Sequence, residues 1–219
     1  MDEEGNIDLF RIPRDGGKPV QVTVGQGTDF LPSWSPDGKH IAFTRILSGE
    51  SHLWVIPATG GLARQISSGG TYNAHGMWSH DSKQIAYLGI DSDQGYNTWV
   101  AEIANPEGRR LVASSPNVVI PVGWVEGGDE LVIWRQMDSG VHLCSIRPDG
   151  TGERIVADQI KDRNSGMAFV FPEGNDRYSQ AFYEGVPYAF AHVERAGDVF
   201  VLRVADLIRN ADLVAGGAR

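Results

Sequence analysis

The chain has 219 residues, 41% of them hydrophobic and 21% charged, and its 28 acidic against 19 basic side chains give a net charge of −9. A partner with a phosphate backbone needs clustered cations, and Arg109-Arg110 is the only adjacent basic pair, so no nucleic-acid role is expected. No run of about 18 apolar residues is present, which excludes membrane insertion as a helix, and the single cysteine, Cys144, excludes an internal disulfide or a thiolate metal site.

The opening MDEEGNIDLF is acidic and polar rather than an apolar leader, which leaves the compartment open. From Ile7 the phrase IDLFRIPRDGGKPVQVT reads as a strand, a Gly-containing turn and a second strand. At Trp34 a different phrase starts, WSPDGKHIAF, in which an aromatic precedes a tight turn and an apolar run. Pro36 presets the backbone angle of the turn's second position, and Gly38 takes positive φ without steric cost. SHLWVIPATGGLARQIS follows from Ser51 and repeats the first phrase, with Pro13 and Pro57 44 residues apart.

The two phrases then alternate. WSHDSKQIAY begins at Trp78 with His80 in place of Pro36, and YNTWVAEIANPEGRRLV begins at Tyr96. WVEGGDELVI begins at Trp124 and VHLCSIRPDGTGERIV at Val141. FPEGNDRYSQ from Phe171 and GDVFVLRVADL from Gly197 are degenerate copies. Trp34, Trp78, Trp124 and Phe171 are spaced by 44, 46 and 47 residues. The repeating unit is therefore four strands, A to D, in about 45 residues. One such sheet cannot bury both faces alone, so successive sheets must stack.

This predicts an all-β fold: a β-propeller of four-stranded antiparallel blades, about four of them complete, behind an N-terminal half blade, as a partial or five-bladed ring. The whole of 1–219 reads as one domain, with the half blade over 1–28 and blades near 29–72, 73–117, 118–165 and 166–219. Trp34, Trp78 and Trp124 are expected to be buried between blades, with Phe43, Tyr87 and Ile133 nine residues later. At most one short helix is expected, near VADLIRNADLV.

PSWSPDGKHIAFTR followed by LWVIPATGG resembles the WD40-like PD40 repeat of TolB-type β-propellers, which also occurs in tricorn-type and prolyl-oligopeptidase-type propellers. The resemblance is specific from Phe30 to Ser67, good from His75 to Ala113, weaker from Pro121 to Val156 and poor beyond Met167. It implies a structural role for the Trp and the SPDG turn. For a TolB-like chain it implies a periplasmic or extracytoplasmic setting with the leader absent, and otherwise the cytoplasm. The chain holds four A–B phrases but five C–D phrases, the unmatched C–D pair coming first. A fragment of a larger propeller is the favoured explanation; a two-stranded remnant and a gap filled by another chain are the others. Unpaired blade edges of this kind favour self-association.

No G-x-S-x-G elbow, P-loop, G-x-G-x-x-G or H-E-x-x-H motif is present, so no catalytic residue is assigned. His40, His52, His80 and His142 read as capping or solvent-facing side chains. His75, three residues before Trp78 at the entry to a strand A, is placed to meet a ligand at the channel mouth, although one histidine is not a metal site. DSDQG has the alternating oxygens of a calcium loop at Asp91 and Asp93 but not the distal ligands, and Asp138-Ser139-Gly140 takes the same place one blade later. A solvated turn is the preferred reading, and no cofactor is assigned.

Propellers act through the loops at one end of the ring. The A–B turns are short and regular. The D–A and B–C connections at the other end vary, and they hold the candidate partner-binding residues Phe30, Tyr72, Asn73, His75, Asn117, Arg163 and Asn164, with Asp29, Arg45, Asp91, Asp93 and Asp138 beside them. The longest departure from the repeat, Tyr183 to Asp198, adds Tyr188 and His192. The sequence thus supports a non-catalytic module that binds a protein or peptide. Its alternatives are the substrate-gating propeller of a prolyl-oligopeptidase- or tricorn-type hydrolase, and a propeller lyase with a channel metal.

Overall fold

The computed structural model describes residues 7–12, 17–91, 95–125 and 129–157. They form fourteen strands. The first hairpin is β1 (Phe10–Arg11) with β2 (Val20–Gln21), followed by three four-stranded antiparallel units, the first two joined into one eight-stranded sheet by a single parallel bridge. Blade 1 comprises β3 (Thr28–Trp34), β4 (His40–Leu47), β5 (Glu50–Pro57) and β6 (Arg64–Gln65). Blade 2 comprises β7 (Tyr72–Trp78), β8 (Gln84–Asp91), β9 (Gly95–Glu102) and β10 (Arg110–Ser115), and blade 3 β11 (Val119–Trp124), β12 (Leu131–Met137), β13 (Gly140–Ile146) and β14 (Arg154–Ala157). A 3-10 turn over Pro106–Gly108 is the only helical element among the described residues. The predicted fourth blade, and the expected helix at VADLIRNADLV, lie outside them.

Three apolar layers separate the sheets, and the parity of each strand decides which layer a residue joins. Ile41, Phe43 and Ile56 point back onto Leu9 and Val22 of the first hairpin. Ala42, Leu53 and Val55 point forward and meet Trp78, Ile85 and Tyr87 of blade 2. Ala86, Leu88 and Val100 in turn meet Trp124, Leu131 and Ile133 of blade 3. Covered on both faces, β4 and β8 read as continuous apolar runs instead of alternating ones.

Hydrogen bonds repeat with the period. In the first A–B turn the Ser35 hydroxyl donates to Asp37 Oδ1 (2.6 Å) and accepts from the His40 amide, while the Lys39 amide also donates to Asp37 Oδ1. Ser79, Asp81, Lys83 and Gln84 reproduce every one of these contacts in the next blade. Ser82 takes the place of Gly38 in the left-handed region, at φ 62° against 70°, and its Oγ accepts the Asp37 amide of the neighbouring turn. A parallel bridge joins Ile7 to Thr28 and another joins Ser51 to Tyr72, each partner one 44-residue period on.

Two features depart from the sequence reading. Trp78 and Trp124 are buried, as are Phe43, Tyr87 and Ile133, but Trp34 is only half-buried. Trp78 and Trp124 each slide beneath the strand A of the blade before; ahead of Trp34 the described residues supply only the two strands of the half blade. The A strands also bulge. Leu31 and His75, 44 residues apart, both adopt left-handed backbone (φ 50° and 60°) where the register slips against β4 and β8. Blade 3 has Pro121 at this place, whose ring fixes negative φ, and there the register slips beside Val122 instead.

Candidate functional site

At one end of the stack the B–C turns meet the D–A connections. Tyr72 opens β7 opposite Ile90, and Ile90 lies opposite Tyr96 across β8 and β9. Directly opposed residues share a face, so these three side chains form one row across blade 2. Val118 and Met137 continue it on the side of blade 3, and all five are half-buried against the layer between these blades. Ile46 and Leu47 occupy the same end of blade 1 at 38% and 43% exposure. Burial raises the Tyr72 phenol above its ordinary pKa, so the row presents neutral aromatic surface.

The D–A connection of blade 2 is tight at this end. A Cβ on Gly95 would lie 2.6 Å from the Ser115 carbonyl, and one on Gly70 2.9 Å from Asp91 Oδ1, so only glycine lets loop and turn close together. Both glycines also have positive φ, 68° at Gly70 and 77° at Gly95. Asn117 follows, exposed, with its amide on the Ser115 hydroxyl.

Of the residues the sequence singled out, Phe30, Tyr72 and Asn117 reach the surface at least in part. Asn73 does not. It is 1% exposed, and its Nδ2 donates to the Gly69 carbonyl at 2.8 Å and lies 3.4 Å from the Ser51 carbonyl and from His52 Nδ1, so it braces blade 1 against blade 2. Asp29 is also internal: its carboxylate takes Arg45 Nε and Nη2 at 2.6 and 2.7 Å, and the guanidinium lies over Phe43 and Trp54. Hydrogen bonding to Asp29 raises the Arg45 pKa. Asp93, Arg163, Asn164, Tyr188 and His192 lie outside the described residues.

His75 sits in the β7 bulge, half-buried, with its pKa lowered to about 4 by burial. It is therefore neutral at neutral pH. Of the remaining described histidines, His40 stacks on Trp78 with ring centres 6.3 Å apart, His52 meets Ser67 and Glu50, and His142, expected to cap or face solvent, is buried and 2.7 Å from the Ser139 hydroxyl. His80 keeps its Nε2 buried without a described hydrogen-bond partner. Among the described residues no group of three or more His, Cys, Asp or Glu is arranged to hold a metal ion. No described helix is long and apolar enough to cross a membrane.

The A–B turn end, the more regular one in sequence, carries a cleft of about 860 Å³ between blades 2 and 3, lined by His80, Asp81, Arg110, Glu130, Arg147 and Asp149 among others. Its carboxylates are largely spent inside the protein. Asp81 accepts from Ser79 and Lys83, Asp149 from Thr151, and Glu130 pairs with Arg154 at 2.8 Å. The opposite end is different: there aromatic surface lies near turn acids that pair with no described lysine or arginine.

Sequence reasoning found Tyr72 but missed Tyr96, Ile90, Val118 and Met137. The signal was available in part, because the short Asp91–Gly95 turn fixes Ile90 opposite Tyr96. Only the β7–β8 register brings Tyr72 to them.

A family model, the TolB β-propeller domain (PD40), matches residues 1–157. A TolB-type protein from Agrobacterium tumefaciens is similar in structure at a TM-score of 0.59 and 20% identity, over 69% of this chain and 55% of that one. A prolyl endopeptidase shares the fold at 0.54 and 17% identity, over 70% of this chain and 26% of that one. An oligogalacturonate lyase in complex with manganese does so at 0.55 and 12%, over 70% and 47%. The chain thus spans about half, or less, of the length of each of these structures. No curated protein matches it by sequence.

Proposed function

The chain belongs to the TolB β-propeller family, and from that premise we propose that it is a non-catalytic interaction module that binds a protein or peptide across the end where its B–C turns and D–A connections meet. The observation that supports this is the row Tyr72–Ile90–Tyr96, continued by Val118 and Met137, in which aromatic and aliphatic side chains stay half-exposed side by side. Aromatic anchors of this kind carry a large share of interface energy, because they bring large contact area with few rotors to freeze.

The direct test is selection of a displayed peptide library on the immobilised protein. Recovered peptides should bind wild type and lose at least about tenfold in affinity against the Tyr72→Ala/Tyr96→Ala variant, which is about 1.4 kcal/mol. Peptides that bind this variant as tightly as wild type would move the site elsewhere.

The second reading is the gating propeller of a hydrolase. It is favoured by the prolyl endopeptidase likeness, of which the chain spans only 26%. The same end would then face a catalytic domain, and a partner captured there would be a substrate in transit. A propeller lyase needs several metal ligands in convergence, and His75 alone does not supply them.

The first hairpin supports a further element of the proposal, self-association. Ile12 and Ile56 hold equivalent places in strand C, yet Ile12 is 63% exposed and Ile56 1%. The difference is the sheet ahead: Ile56 packs back onto the first hairpin, whereas no described sheet stands ahead of β1 to cover Ile12. An open strand edge with exposed apolar residues is a template for another chain.

A further inference from the structure

The B–C turns of all three blades share a pattern: an apolar residue at the end of strand B and an acid next to it or just across the turn. In blade 1 these are Leu47 and Glu50, in blade 2 Ile90 and Asp91, in blade 3 Met137 and Asp138. Glu50 lies beside the Ser51–Tyr72 bridge, which puts it at the same end as the aromatic row. Since adjacent strand residues point to opposite faces, Glu50 and Asp91 stand at the rim of the row and not in it.

Electrostatics sharpen this. Three arginines of these blades are already committed: Arg45 to Asp29, Arg135 to Glu153 at 2.5 Å, and Arg109 over the Trp99 ring at 3.9 Å with Nη1 donating to the Tyr87 hydroxyl. None of the three acids pairs with a lysine or arginine among the described residues. Glu50 meets only His52, and Asp91 accepts from Asn97 at 3.3 Å. Among the described residues, the end that offers apolar contact therefore also presents acids with no lysine or arginine partner, on a chain whose total is −9.

We infer that this belt selects a protein segment in which lysine or arginine flanks leucine- or tryptophan-like anchors. The inference rests on the interaction reading above and names the chemistry of its partner. The apolar side chains would settle on the Tyr72–Tyr96 row, and the cations would meet the turn acids at its rim. Rim charge of this kind acts mainly on association rate and on partner choice, so its mark is dependence on salt.

The test uses three labelled synthetic peptides on the full chain. One alternates lysine and leucine around a central tryptophan, one has glutamate for lysine, and one keeps lysine but has serine for the apolar residues. The first should bind at least about tenfold more tightly than either of the others, with affinity falling as salt rises. Replacing the turn acids together (Glu50→Gln, Asp91→Asn, Asp138→Asn) should cost about tenfold, while equal neutralisation at the far end (Glu102→Gln, Glu107→Gln, Asp149→Asn) should leave affinity within about twofold.

Equal losses in the two triple variants would mean attraction to net charge alone and would overturn the inference. So would equal binding of the glutamate peptide, or binding indifferent to salt, a measurement that needs no variant. In those cases a continued dependence on Tyr72 and Tyr96 would leave the interaction reading standing. Loss of that dependence would remove both.

Discussion

The indole Nε1–H of Trp124 donates to the main-chain carbonyl of Met77 at 3.0 Å, and Met77 is the residue before the preceding tryptophan. Trp78 repeats this on the Ser33 carbonyl at 3.1 Å, and Ser33 precedes Trp34. Each blade's tryptophan thus ties to the chain just ahead of the last one. The repeating Trp is a connector between sheets, which explains why it recurs in phase.

Removing a connector separates its two contributions. Trp78→Phe should cost about 1 kcal/mol, the value of one buried hydrogen bond, and Trp78→Ala about 3–5 kcal/mol. Trp34→Ala should cost clearly less, because Trp34 is half-buried. Urea midpoints of the three variants give the comparison, and equal shifts at Trp34 and Trp78 would contradict the layer assignment.

Gly76 offers a test by addition. A Cβ there would sit 2.8 Å from Ile85 Cδ1 and 2.8 Å from Leu53 Cδ1, in the layer between blades 1 and 2. Gly76→Ala should destabilise by roughly 1–3 kcal/mol through overpacking. A second replacement, Leu53→Val, should recover part of this, and the recovery is read as a non-additive midpoint shift.

The Asp29–Arg45 pair makes a prediction about neutralisation. Asp29→Ala leaves a largely buried guanidinium without its carboxylate and should cost about 3–5 kcal/mol. The double variant Asp29→Ala/Arg45→Met should cost less than Asp29→Ala alone, since no uncompensated charge remains. Chemical denaturation of the four members of the cycle measures this.

Acid should act through His75. Its pKa is about 4 in the folded chain against 6.5 when exposed. Between these values the unfolded chain binds a proton that the folded chain does not. Stability is therefore unaffected above pH 6.5, falls as pH drops toward 4, and loses roughly 3 kcal/mol over the window at 1.36 kcal/mol per pKa unit. His75→Gln should flatten that part of the pH–stability curve, and an unchanged slope would show that other groups carry it.

Self-association should depend on concentration and on the first hairpin. Light scattering on a size-exclusion column should show mass above that of one chain, and Phe10→Lys or Ile12→Lys should return it to a monomer. A monomer in the unaltered chain at all concentrations would remove that element of the proposal.

The division between what could be read from the chain and what could not follows from the range of the interactions. Period, strand count, A–B turn and layer residues were legible because each depends on neighbours within a few residues. Ser35, Asp37 and Gly38 close their turn locally, and the alternation of Ile41, Ala42 and Phe43 fixes which way each side chain faces. Asn73 looked like a loop residue because its partners, Ser51 and Gly69, belong to the blade before and to the loop leading into β7. Trp34 looked like its equivalents because the phrase is the same; only the strands stacked ahead of it differ.

The candidate site divides in the same way. The acids at the turns can be read directly, since a hairpin brings Asp91 and Asp138 to the surface by itself. That Tyr72 joins Ile90 and Tyr96, that Val118 and Met137 extend their row, and that Arg45, Arg109 and Arg135 are bound up elsewhere depends on register between strands and on stacking between sheets. The sequence by itself determined a repeating blade with polar turns. Only the tertiary structure decided which apolar side chains stay half-exposed together and which acids near them have no described lysine or arginine partner, because burial and pairing belong to the assembled stack and not to any one repeat.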